Sequence, residues 1–186
     1  MEAMKRDKKY TLEDWLVWPE DERWELIDGV AHMMATPTIQ HQDISDEIGL
    51  QLRLFLKGKS CKSYSAIGVN LNSKEDTVFV PDISVVCDHR KLADGKICVG
   101  APDMVVEILS QSTAGRDRLK KFNKYLEAGV REYWIVDPEA KVVNVNILEN
   151  GKYVNHAYGI TDTVPVHVLD GCTINLQDVF AGAQST

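Results

Sequence analysis

The chain has 186 residues, 44% of them hydrophobic and 26% charged, with a formal net charge of -7. That length and composition suit one domain over 1–186 with its own apolar core and leave two full domains crowded. The net acidity excludes charge-driven coating of nucleic acid, so any phosphate-binding site has to be local.

The N-terminus, Met1 to Tyr10, carries basic side chains with no apolar run behind them, and no later stretch is long enough to span a bilayer. A protein neither secreted nor membrane-inserted is expected. Thr11 is placed to cap a short helix with acids in its first turn, which Pro19 stops. Residues 23–27 and 30–34 flank Asp28-Gly29, the strongest two-residue hairpin signal in the chain. From Thr38 to Lys57, Ile44, Ile48, Leu52, Phe55 and Leu56 recur at helical spacing ahead of Gly58, which predicts a long amphipathic helix.

Strands are predicted over Cys61–Asn70, Val78–Cys87 and Met104–Leu109. A polar loop with Asp88, His89, Arg90, Asp94 and Gly95 separates the last two and is expected near the site. The cysteines at 61, 87, 98 and 172 form no C-x-x-C pair, and Cys87 sits in an apolar run, so they are expected to be reduced and the protein cytoplasmic. A second long helix is predicted over Thr113–Ala128, closed by Gly129, and then a strand over 132–136 turned by Asp137-Pro138. A hairpin over Val142–Leu148 and Tyr153–Tyr158 turns at Asn150-Gly151, and 176–180 reads as one helical turn. The expected division is a core over about 11–148 and a C-terminal hairpin and tail over 149–186.

Two of the predicted strands each carry one acid inside an apolar run: Asp82 and Glu107. An ionised carboxylate there costs several kcal/mol or more unless it is paired, hydrogen-bonded or bound to a metal. A shared divalent ion answers both, and Mg²⁺ or Mn²⁺ with oxygen ligands can serve phosphodiester hydrolysis. Asp103 is a rival ligand, but it lies about 13 Å from Glu107 along one strand face, too far to share an ion. An amine that orients water or meets the phosphate comes from Lys120, Lys121 or Lys124. If Leu119, Phe122, Leu126 and Gly129 mark the buried face, Lys124 is the most solvated, and Lys121 borders a polar edge with Asp117 and Tyr125. Lys121 is the expected amine.

These residues resemble the Uma2-type endonuclease family of the restriction-endonuclease-like PD-(D/E)XK superfamily. The likeness rests on Trp24-Glu25-Leu26-Ile27-Asp28-Gly29, His41, Val80 to Val86 with Pro81-Asp82, Pro102 to Ser110 with Glu107, Arg116-Asp117-Arg118 and Gly129 to Pro138. The resemblance implies an α/β fold with a mixed central sheet flanked by helices, metal-dependent endonuclease cleavage of nucleic acid with DNA the expected substrate, and a homodimer. It also implies a site of Asp82, Glu107, a lysine and a further acid matching Glu25. Where the superfamily motif expects lysine two residues after Glu107, this chain has Leu109, and the amine moves to Lys121 on the following helix.

By pattern alone, Glu25 reads as an outward, solvated strand residue and His41 as structural. His32, His89, His156 and His167 have no zinc spacing, and Ser110 has no nucleophile elbow. Arg116, Arg118, Lys120 and Lys124, with Lys121, form the densest positive patch and are candidate nucleic-acid contacts. The alternative reading is a catalytically silent module of the same fold that binds nucleic acid or protein.

Overall fold

The computed structural model describes residues 8–19, 22–71, 76–110 and 116–182, and the side chains of 116–118 also lie outside that description. In chain order the elements are α1 (Leu12–Trp15), β1 (Trp24–Ile27), β2 (Val30–Met33), α2 (Ile39–Leu56), β3 (Lys62–Ser65), β4 (Gly68–Asn70) and β5 (Ile83–Val86). A 3-10 turn (His89–Leu92), β6 (Ile97–Val99), β7 (Met104–Ile108), α3 (Arg116–Ala128) and β8 (Glu132–Asp137) follow. The chain then forms β9 (Val142–Glu149), β10 (Lys152–Gly159), β11 (Thr163–Pro165), β12 (Thr173–Asn175) and α4 (Leu176–Val179).

The central sheet has the order β10-β9-β8-β7-β5-β3 and is mixed, as expected of an α/β fold: β7 and β8 run parallel and the other neighbours antiparallel. The parallel pair is joined through α3, the crossover that two parallel strands require. Side chains alternate across β7. Met104, Val106 and Ile108 enter the core that α2 covers with Ile44, Ile48 and Leu52, whereas Val105 packs with Tyr125, Tyr133 and Ile135 on the α3 side. Each fully buried aliphatic side chain of that layer contributes about 2 kcal/mol, which is what holds α2 against the sheet.

The first hairpin turns as its sequence asks: Asp28 (φ 50) and Gly29 (φ 77) both take left-handed backbone, the pair a type I′ turn needs. Thr11 caps α1 with Asp14 reciprocating, and Thr38 caps α2 by accepting from the His41 amide. Several expectations give way. The predicted strand 61–70 breaks at Ala66 (φ 50) into β3 and β4, and 78–87 narrows to β5, with Val78 and Phe79 making only isolated bridges. Pro81 has no N–H for a ladder, so regular pairing begins after it. The start predicted for α3, Thr113 to Gly115, lies outside the described residues.

The C-terminal segment is core, not tail: Val164, Ile174, Leu176, Val179 and Phe180 bury against the α2 layer. Buried Glu132 fixes it there, accepting from the Trp134 indole at 2.7 Å and the Val168 amide at 2.9 Å. The cysteines also depart from expectation. Lys62 pairs with Val86, and Cys61 and Cys87, one residue further along the same antiparallel ladder, form a disulfide with a Cα–Cα distance of 4.0 Å; Cys98 and Cys172 are free and buried. Separation in sequence hid a pair that strand register makes direct neighbours. Among the described residues no helix is long and apolar enough to cross a membrane.

Candidate active site

Ile83 pairs with Val106 and Ser84 with Val105, so one more step of the β5–β7 register sets Asp82 opposite Glu107. Asp82 is held by its Oδ2, which accepts from the Ile108 amide at 2.7 Å and lies 3.3 Å from His41 Nε2. Glu107 has the parity of Val105 and points to the α3 side, where Lys121 donates to its Oε1 and Oε2 at 2.9 and 3.1 Å and the Tyr125 hydroxyl to its Oε1 at 2.7 Å. Glu25 arrives from β1: its Oε1 accepts from the Val80 amide at 2.9 Å and lies 2.8 Å from Lys121 Nζ. Asp82, Glu107, Lys121 and Glu25 are thus brought to one place, with Glu25 and Glu107 on a single ammonium and Asp82 beside them against His41.

Burial sets the electrostatics. Glu107 is pushed up to about 7 by loss of water; the Lys121 charge opposes the rise, and Asp82 and Glu25 add to it. For Lys121, burial alone would lower the pKa, and the Glu107 and Glu25 carboxylates more than reverse that, so the amine is firmly protonated. The Tyr125 phenol is held well above its ordinary value, first by burial and then by the Glu107 charge.

The site opens into a cleft of about 430 Å³ lined by Arg23, His32, Met34, Pro37, His41, Asp82, Glu107, Ser110 and Lys121 among others. His41 is therefore a cleft residue and not merely structural. The cap that Thr38 places on α2 aims the imidazole at Asp82, and its Nδ1 is buried without a partner among the described residues. Glu25 is 6% exposed, not solvated, because the hairpin's inner face turns toward α3.

The face predicted for α3 is out of phase. Leu119 is 63% exposed while Tyr125 is fully buried. Carboxylates on the strands set the helix rotation: Lys121 and Tyr125 meet Glu107, and Lys124, expected to be the most solvated, reaches Asp28 Oδ1 at 2.6 Å with Lys120 at 3.9 Å from Oδ2. The hydrogen bond from Lys124 is the chief cause that holds Asp28 below the ordinary carboxylate range. The side chains of Arg116, Asp117 and Arg118 lie outside the described residues. The polar loop 88–95 is not near the site: it leaves the end of β5 opposite Asp82, and none of its residues lines the cleft. Asp103 has a different task, accepting from the Cys87 amide at 2.7 Å and pairing with Arg131 at 2.5 Å.

The family profile described as "Putative restriction endonuclease", Uma2, matches residues 12–177. The chain belongs to the Uma2 family. Within it, the chain is 31% identical over 120 residues to the uncharacterized protein slr1290 of Synechocystis sp., covering 63% of this chain and 62% of that protein. It is 25% identical over 118 residues to the uncharacterized protein sll1609 of the same organism, covering 62% and 67%. The match therefore spans about two thirds or less of each relative's length. A crystal structure of a putative nuclease belonging to DUF820 from Anabaena variabilis superposes with a TM-score of 0.77 at 23% identity, covering 94% of this chain and 99% of that one. The Uma2 chain shares that fold.

Arg23 and His32 are cleft residues that sequence reasoning did not assign to it, His41 was read as structural, and Tyr125 was placed only on the polar edge beside Lys121. Hairpin register was an available signal: naming Glu25 implicates Arg23 two residues away on the same strand face and His32 across from it. Among the described residues, no three His, Cys, Asp or Glu side chains are grouped to hold one ion, so a metal would take its protein ligands from the Asp82–Glu107 pair. That fits Mg²⁺, which is usually held by one or two carboxylates and keeps several waters. The buried excess of carboxylate over ammonium is the deficit a divalent cation would neutralise.

Proposed function

We propose that this Uma2 protein is a metal-dependent endonuclease that hydrolyses phosphodiester bonds of DNA, with Mg²⁺ or Mn²⁺ held by Asp82 and Glu107. The observation that carries the reading is the register that sets Asp82 across from Glu107 beside a partly buried ammonium, in a cleft open to substrate. The family's own description supports it. Bound there, the ion would polarise a phosphoryl oxygen and make a water more acidic. Asp82 is kept in place by the Ile108 amide and His41, so its outer oxygen does not have to be ordered on binding. Glu107 supplies the second carboxylate. Lys121 would offer its protons to the scissile phosphate or the attacking water, and Glu25, at 2.8 Å from Nζ, keeps the amine charged and oriented.

The test is incubation of purified protein with plasmid, single-stranded DNA and RNA in Mn²⁺, beside Asp82→Ala and Glu107→Gln, with calorimetric titration of the metal. Cleavage and metal binding that vanish in both variants are expected; equal cleavage by all three proteins refutes the assignment. The pairing of Lys121 with both Glu25 and Glu107 also suits a second reading, the catalytically silent binding module, in which the amine serves only to balance the two acids. Nucleic-acid binding with no metal uptake would identify that case.

A further inference from the structure

The four cationic or imidazole side chains that line the cleft are not equivalent. Lys121 is engaged by Glu25 and Glu107, and His41 faces Asp82. His32 stands opposite Glu25 in the hairpin register. Among the described residues neither the His32 nor the Arg23 side chain has an ion pair or a hydrogen bond, and of the two only Arg23 is a guanidinium, charged at any pH of interest. An unspent guanidinium beside a cluster of carboxylates in an acidic chain calls for an anion from outside.

Its position is fixed by backbone. The Met34 amide donates to the Arg23 carbonyl at 2.9 Å, which extends the β1–β2 ladder by one pair beyond Trp24–Met33. Arg23 therefore has the parity of Glu25, on the strand face that looks into the cleft, displaced from it by two residues or roughly 7 Å. That displacement is of the order of the spacing between neighbouring phosphates along one strand. A strand with its scissile phosphate at Asp82, Glu107 and Lys121 would bring the next phosphate to Arg23.

We propose that Arg23 is a phosphate-binding subsite for the nucleic-acid strand, taking the non-scissile phosphodiester beside the one that is cut. The guanidinium offers a planar fork of donors suited to two phosphate oxygens, and the ladder bond at its own carbonyl limits what ordering it costs. The inference rests on the nuclease reading and adds that the site recognises a polynucleotide and not an isolated diester.

The experiment compares wild type, Arg23→Gln and Arg23→Lys in two assays. Binding of a labelled single-stranded oligonucleotide is followed by anisotropy in Ca²⁺ over a salt series, and hydrolysis of bis(p-nitrophenyl) phosphate, which has no second phosphate, is followed in Mn²⁺. Arg23→Gln is expected to weaken oligonucleotide binding about tenfold and to flatten the salt dependence by about 0.7 in log–log slope, the share of one phosphate contact. Arg23→Lys should regain the slope and part of the affinity, and all three proteins should hydrolyse the small diester equally. Unchanged affinity and slope in Arg23→Gln overturn the subsite while leaving the nuclease reading intact, as does an equal loss on the small diester. A wild type that neither binds the oligonucleotide nor hydrolyses the small diester overturns both.

Discussion

The Lys121 ammonium donates to both oxygens of Glu107, at 2.9 and 3.1 Å, and its third close partner is Glu25 at 2.8 Å. One cation thus balances two carboxylates from different strands, Glu25 buried and Glu107 partly so, and it does so from a helix whose rotation those carboxylates set. Lys121→Met removes the charge at similar length and leaves both acids uncompensated, which costs about 3–5 kcal/mol. For a chain of this size that lowers the thermal midpoint by roughly 10 °C. Mn²⁺ should then stabilise the variant more than the wild type, because the ion replaces the missing positive charge. Thermal unfolding with and without Mn²⁺ checks this, and equal metal-induced shifts in the two proteins would contradict it.

Metal affinity should depend on pH through Glu107. Its folded-state pKa, raised to about 7 by burial, exceeds its ordinary value of 4.5, so the folded protein binds this proton more tightly than the unfolded chain. The contribution to stability is therefore full below about 4.5 and is lost as pH rises through about 7. A metal has to displace the same proton. Mn²⁺ affinity is expected to climb by up to about tenfold per pH unit below 7 and to level above it. Calorimetric titration across that interval measures the slope, and an affinity that does not change with pH would refute the part given to Glu107.

How much of this was legible in the sequence follows from the range of the interactions involved. Asp82 and Glu107 stood out because an acid inside an apolar run conflicts with its own surroundings, and that conflict is local. The Asp28-Gly29 hairpin and the α2 stripe were legible for the same reason. The face of α3 was not: Leu119 is exposed and Tyr125 buried because Glu107 and Glu25, which reach Lys121 from strands remote in the chain, outweigh the apolar periodicity. The strand register that joins Cys61 to Cys87 is likewise a property of pairing between strands, and no spacing rule along the chain reports it.

Tyr125→Phe isolates one hydrogen bond. The hydroxyl donates to Glu107 Oε1 at 2.7 Å and lowers that carboxyl's pKa, so its removal sends Glu107 higher. The rise in Mn²⁺ affinity should shift to higher pH by a measurable fraction of a unit, while the plateau affinity is preserved. Stability should fall by about 1–2 kcal/mol at pH above 7, where the carboxylate is ionised and has lost a donor. A titration curve that superposes on the wild type would show that the hydroxyl does not tune Glu107.

The Cys61–Cys87 disulfide closes a loop of 26 residues in sequence separation, and that loop carries Asp82. Restricting the unfolded chain over such a loop stabilises the fold by about 3 kcal/mol. Reduction is then expected to lower the thermal midpoint by roughly 5–10 °C. The double variant Cys61→Ser with Cys87→Ser should start from the lower midpoint and ignore reductant. In denaturant, thiol titration should find two reactive thiols before reduction, Cys98 and Cys172, and four after it. Mn²⁺ binding should survive reduction, because Asp82 is fixed by the Ile108 amide of β7 and by His41 of α2, contacts the bridge does not make. Four reactive thiols in the unreduced protein would show that the two cysteines are not bonded.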